Sequence, residues 1–199
     1  MNDKLTKFTP NDSDDLYFES QISRALDKVL ESARSKKHGF APWIPIVGLT
    51  GSGKTSIIKE WLKHYQLKNW YISGGRAISK VEVEYFPNFS SEPKVQIVTG
   101  KELVDLLTPK KKIVNVLFSS KEIDDVDNQT IIVVDDYDRA PLDVRNELFN
   151  LIKFHQVIDP RIENENKTRI LNPLMMIVVL DYGNLKSLSE KELKLFDLL

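Results

Sequence analysis

The order of elements along this sequence predicts a three-layer α/β fold built on a parallel sheet. Three observations carry the prediction. Short apolar runs of strand length alternate with longer stretches of helical periodicity. The run Ile131-Ile132-Val133-Val134 is continuous and β-branched, as a parallel strand covered on both faces must be. The stretch GLTGSGKT, Gly48 to Thr55, joins an apolar strand to a helical pattern through glycines, a lysine and a threonine at fixed offsets.

The elements follow in order. Ser20 is placed to cap a leading helix whose apolar face is Ile22, Leu26, Val29, Leu30 and Ala33, with Lys36 and Lys37 at its end and Gly39 to stop it. Ile44 to Val47 reads as a strand, with Pro45 expected near its start because proline is awkward inside a sheet. Ile57, Ile58, Trp61, Leu62 and Tyr65 form one face of the next helix, and Trp70 to Ile72 a second strand. Val81, Val83 and Tyr85 alternate with charged residues, as in a half-exposed strand or hairpin. Lys94 to Thr99 reads as a further strand and Gly100 to Leu107 as a helix stopped by Pro109. An amphipathic helix over Leu142–Phe154 and a buried strand over Met175–Leu180 complete the series.

Composition narrows the function classes. A chain of 199 residues suits one domain, divided as a polar segment with its leading helix over 1–39 and a core over 40–199. The formal net charge of −1 argues against a strongly basic nucleic-acid binder. Without cysteine there are no disulfides, no thiol catalysis and no Cys-type zinc site. The opening MNDKLTKFTPNDSDD has no apolar core of a secretory signal, and no apolar stretch approaches the ~20 residues that span a bilayer. A soluble cytoplasmic protein with no membrane partner is expected.

Gly48-x-x-x-x-Gly53-Lys54-Thr55 has the full spacing of a phosphate-binding loop. Glycines let the backbone turn its N–H groups toward phosphate oxygens, and the helix that follows presents its positive end to the same anion. Gly48, Thr50, Gly51, Ser52, Gly53, Lys54, Thr55 and Ser56 are therefore the expected ATP-binding residues, with Lys54 at the β- and γ-phosphates and the Thr55 hydroxyl on Mg²⁺. Asp135 and Asp136 stand where the buried strand emerges, the end of a parallel sheet at which ligands collect. Asp135 is expected to hold Mg²⁺ and Asp136 to activate the attacking water.

GLTGSGKT followed by IIVVDDYDRAPLDVRNELFNLI resembles the core of an AAA+ ATPase, most closely its MoxR-like branch, over about Pro42 to Asn184. That branch carries an Asp-Glu pair and an Asn-Arg-Ala-Pro segment, here Asp135-Asp136 and Asp138-Arg139-Ala140-Pro141. The resemblance implies a P-loop NTPase fold with a β-hairpin before the sensor strand, its arms at Val157-Ile158 and Arg169 to Leu171. It implies a sensor at the strand end, either Asp181 or Asn184, and a ring of subunits acting on a macromolecular partner that the sequence leaves unnamed. It also implies an arginine delivered to the γ-phosphate across a subunit boundary, with Arg139 favoured over Arg145, Arg161 and Arg169. The family's lid is expected to be absent or truncated. Aspartate at 136 is one methylene shorter than the family's glutamate, and a displacement of ~1 Å can cost on the order of a hundredfold in rate. The alternatives are a slowly hydrolysing, nucleotide-gated assembly switch and a small-molecule kinase.

Other features read as structural. Gly74-Gly75-Arg76 looks like a flexible turn, Lys110 to Lys112 like a solvated face, and Tyr85 to Phe89 like an apolar anchor. His38, His64 and His155 lack metal spacing.

Overall fold

The computed structural model describes residues 21–35, 41–77, 80–86, 110–159, 161–162 and 167–198, with the backbone alone at 80–86 and 110–115. The expectations for Ser20, Lys36 to Gly39, Lys94 to Leu107 and Pro87 to Phe89 lie outside these residues.

Four strands form the central sheet: β1 (Trp43–Gly48), β2 (Asn69–Ser73), β5 (Ile131–Asp135) and β8 (Met175–Asp181). Their spatial order is β1-β8-β5-β2 and every pairing is parallel. All five residues of β5 and all seven of β8 are buried, which explains their unbroken apolar sequence. Side chains alternate across the sheet. Ile131, Val133, Ile177 and Val179 pack on one face with Leu26, Leu30, Ile58 and Trp61 of α1 (Gln21–Ser35) and α2 (Lys54–His64). Ile132, Val134, Met176, Val178 and Leu180 pack on the other face, with Ile123 of α3 (Ser120–Asp124) and Leu148, Leu151 and Ile152 of α4 (Leu142–Phe154). Burying each of these larger side chains contributes about 1.5–3 kcal/mol. The result is three layers. α1 is joined to α2 by polar contact as well, since the Trp61 indole donates to Asp27 Oδ1 at 2.8 Å.

Outside the sheet, β3 (Lys80–Phe86) and β4 (Lys110–Val116) form an antiparallel ribbon. β6 (Gln156–Ile158) and β7 (Thr168–Ile170) form the short hairpin that precedes β8. Helix α5 (Glu190–Leu195) follows a 3₁₀ segment over Tyr182–Ser187. Among the described residues no helix is long and apolar enough to cross a membrane.

One local expectation needs correction. Pro45 is the third of six residues in β1, paired with Val178, instead of lying at the strand's start. β1 is an outer strand of the described sheet, where a missing N–H is tolerated. Lys110 to Lys112 belong to strand β4, in register with Phe86, Tyr85 and Glu84, which the sequence reading did not anticipate. Helix α3 was not anticipated, although its capping box, Ser119 with Glu122, is a signal present in the sequence.

Candidate functional site

The parallel register brings the strand ends together. Gly48 lies opposite Asp181, and Ser73 opposite Asp135. Between Gly48 and α2 the chain turns through Gly51 and Gly53, with φ of 78° and 82°, in the left-handed region that glycine enters without strain. Gly53 is the N-cap of α2 and no side chain caps that helix. Its first-turn N–H groups therefore stay available to an anion. The Lys54 ammonium donates to the carbonyls of Gly48 and Leu49, both at 2.8 Å.

Across from the loop, Asp135 ends β5. The Thr55 hydroxyl donates to its Oδ2 at 2.9 Å, the Tyr71 phenol donates to the same oxygen, and the Asp136 N–H donates to Oδ1 at 3.1 Å. Burial, and then the bond to Asp135, push the Tyr71 phenol far above its ordinary range, so it remains a donor. Asp136 adopts a left-handed conformation with φ of 53°. Burial and then the neighbouring Asp135 charge raise its carboxyl pKa, while Arg139 opposes the shift. A Cβ on Gly74 would lie 2.6 Å from the Asp136 carbonyl oxygen. Gly74–Arg76 is thus a 3₁₀ turn wedged against the acidic pair, not the flexible turn the sequence suggested. Gly74 is a functional neighbour that sequence reasoning missed, and only its Gly-Gly spelling hinted at it.

Asp181, at the end of β8, accepts from the Thr50 hydroxyl and from Arg139 Nη2 at 3.2 Å. Arg139 Nε also lies 3.8 Å from Asp136 Oδ1. Asn184 sits behind this cluster: its amide donates to Asp138 Oδ2 at 2.7 Å, while Asp138 Oδ1 accepts the Asp181 N–H at 3.0 Å. The other arginines point elsewhere. Arg145 Nε is 3.3 Å from Glu192, and Arg161 and Arg169 bind Asp124 and Asp159.

A cleft of about 280 Å³ results, lined by residues 50–56, Asp135, Asp136, Arg139 and the 179–181 end of β8. Of the residues singled out in the sequence, Gly48 and Asn184 fall outside this lining. The cleft holds three carboxylates, Asp135, Asp136 and Asp181, against two cations, Lys54 and Arg139. Its donors beside Thr55 are hard oxygens, which suit magnesium. Among the described residues no group of three or more His, Cys, Asp or Glu side chains could hold a metal alone.

Loop, sheet order and acidic strand end define a P-loop NTPase of the AAA+ type, an ATP-binding class. The chain belongs to the AAA domain family, dynein-related subfamily, which it matches over residues 44–195. Among solved structures it is similar to a point mutant of RuvB from Thermotoga maritima, at 14% identity and a TM-score of 0.46, covering 91% of this chain and 44% of that one. It is also similar to the RuvB Holliday junction branch migration motor of the same organism, at 14% identity and a TM-score of 0.43, covering 91% of this chain and 44% of that one. A third likeness is to NtrX from Brucella abortus in complex with ATP, at 8% identity and a TM-score of 0.41, covering 89% of this chain and 31% of that one. The chain spans less than half the length of these structures. No curated protein matches it.

Proposed function

We propose that this chain binds MgATP in the cleft and hydrolyses it to drive the remodelling of a macromolecular partner. The observation that carries the reading is the 2.9 Å contact between the Thr55 hydroxyl and Asp135, made from α2 and β5. Residues 50–56 hold the phosphates through backbone N–H groups, and Lys54 turns its ammonium to the β- and γ-phosphates. Thr55 and Asp135 would hold magnesium, which supplies charge neutralisation at the phosphates. Asp136 takes a proton from water as that water attacks the γ-phosphorus, and the bond to the bridging oxygen breaks to release ADP. Arg139 is assigned to the γ-phosphate from within the same chain, and Asp181 to the sensor position, with Asn184 holding Asp138 behind it.

Assembly into a ring, membership of the MoxR-like branch and a cytoplasmic setting belong to the same proposal. The Asp138-Arg139-Ala140-Pro141 segment and the β6–β7 hairpin support the branch. Nothing in the charge balance suggests nucleic acid as the partner.

One observation favours a second reading, the slowly hydrolysing assembly switch. The Asp181 carboxylate in the cleft accepts hydrogen bonds from Thr50, Arg139 and the Gly183 N–H, where the sensor position calls for a donor to the γ-phosphate. Phosphate release and light scattering, measured with and without MgATP, separate the readings. Steady release without an added acceptor supports the ATPase. Binding and an ATP-dependent change in mass with negligible turnover support the switch. Turnover only with a nucleoside or other acceptor would support the small-molecule kinase and overturn both.

A further inference from the structure

We propose that Tyr71 is a positioning residue for the magnesium carboxylate: its phenol holds Asp135 in the orientation that receives a divalent cation beside Thr55. This rests on the reading of the cleft as a MgATP site.

The register explains how the contact arises. β2 runs parallel to β5 with Ser73 opposite Asp135 and Tyr71 opposite Val133. Residues two apart share a face of a strand, so Tyr71 lies on the Asp135 face, one step back along the sheet. A short side chain there would stop short of the strand end. The phenol spans the diagonal and donates to Asp135 Oδ2. Its ring is held from α2, where the Lys59 ammonium lies 4.9 Å from the ring centroid.

Asp135 is thereby fixed by donors from three separate elements: Thr55 from α2, Tyr71 from β2, and the Asp136 N–H beyond β5. These donors differ in what they can do when a cation arrives. The Thr55 oxygen must then serve the cation as well as the carboxylate. The phenol has no such second task, and being neutral it adds no repulsion. Tyr71 is therefore the side chain whose hold on Asp135 stays the same across metal states. Groups that hydrogen-bond a ligating side chain typically change metal affinity by about 10–100-fold when removed.

The test uses the full chain and reads ATP affinity by calorimetry, once in excess EDTA and once in millimolar magnesium. The ratio of the two dissociation constants measures the coupling between nucleotide and metal. In Tyr71→Phe the coupling should shrink about tenfold. The EDTA value should stay within about twofold of wild type. A general loss of structure would instead weaken binding in EDTA too. Tyr71→Leu, which removes ring and hydroxyl together, should lose coupling to the same degree as Tyr71→Phe. Unchanged coupling in Tyr71→Phe overturns the proposal, as does a loss seen in Tyr71→Leu alone, because that assigns the effect to ring packing. Failure of the wild type to bind ATP at all overturns the MgATP reading and this proposal with it.

Discussion

Two clusters of aspartate and arginine lie in this molecule, and they are built differently. At the β6–β7 hairpin, Arg161 makes paired bonds to Asp124 at 2.7 and 3.0 Å and to Asp159 at 2.9 and 2.8 Å. Arg169 adds a contact to Asp124 at 2.6 Å. Two carboxylates meet two guanidinium groups; the planar fork of Arg161 is filled, and Arg169 reaches both carboxylates through Nη1. In the cleft, Arg139 reaches two of the three carboxylates, Asp181 at 3.2 Å and Asp136 at 3.8 Å, while Lys54 is bound to main-chain carbonyls. The hairpin cluster is closed and ties β6–β7 to α3. The cleft cluster keeps unspent charge on both sides, which is what a site for a metal and a phosphate chain requires. Residue type does not separate a structural ion cluster from a functional one; saturation does.

Breaking the open cluster should cost function. Lys54→Ala is expected to weaken ATP binding at least about hundredfold, read by calorimetry, because among the described residues no other ammonium lines the cleft. Asp136→Asn should keep ATP binding while hydrolysis falls about hundredfold or more. Unchanged phosphate release in that variant would mean the attacking water is directed by another carboxylate. Gly74→Ala probes the wall behind the acidic pair. Its Cβ must displace the Asp136 carbonyl, at a cost of about 1–3 kcal/mol in urea denaturation together with slower hydrolysis.

Breaking the closed cluster should cost stability alone. Asp159 is buried, and the Arg161 guanidinium holds its carboxyl below the ordinary range. A lowered folded pKa gives a contribution that is complete above the ordinary carboxylate pKa near 4 and fades as pH falls toward the folded value. Asp159→Asn should lower stability by about 1–2 kcal/mol at pH 7, and by less at pH 3, with ATP affinity unchanged at pH 7. An equal loss at both pH values would show that the charge of Asp159 contributes nothing.

The parts of this site legible in the sequence were the local ones. GLTGSGKT needs only its own spacing to specify a loop between strand and helix, and the β-branched Ile131 to Val134 needs only its own composition to specify a doubly covered strand. The division of labour at the end of β8 was not legible. Asp181 and Asn184 stand three residues apart, and which one reaches the cleft depends on where the strand gives way to the 3₁₀ segment. Arg139 was favoured over Arg161 only for its place just beyond the acidic pair; the fold is what sends one into the cleft and the other to close the hairpin. Gly74 looked like a hinge because nothing in its neighbourhood of sequence names the carbonyl it must clear.

By itself, then, the chain determined the four strands of its central sheet, its phosphate loop and the acidic pair, because hydrophobic period and glycine geometry act over a few residues. Only the tertiary structure decided that Tyr71 reaches Asp135, that Asp181 faces Thr50 and Arg139, and that Gly74 backs Asp136. Those contacts join residues tens of positions apart, and they exist only once parallel register has set the strand ends side by side.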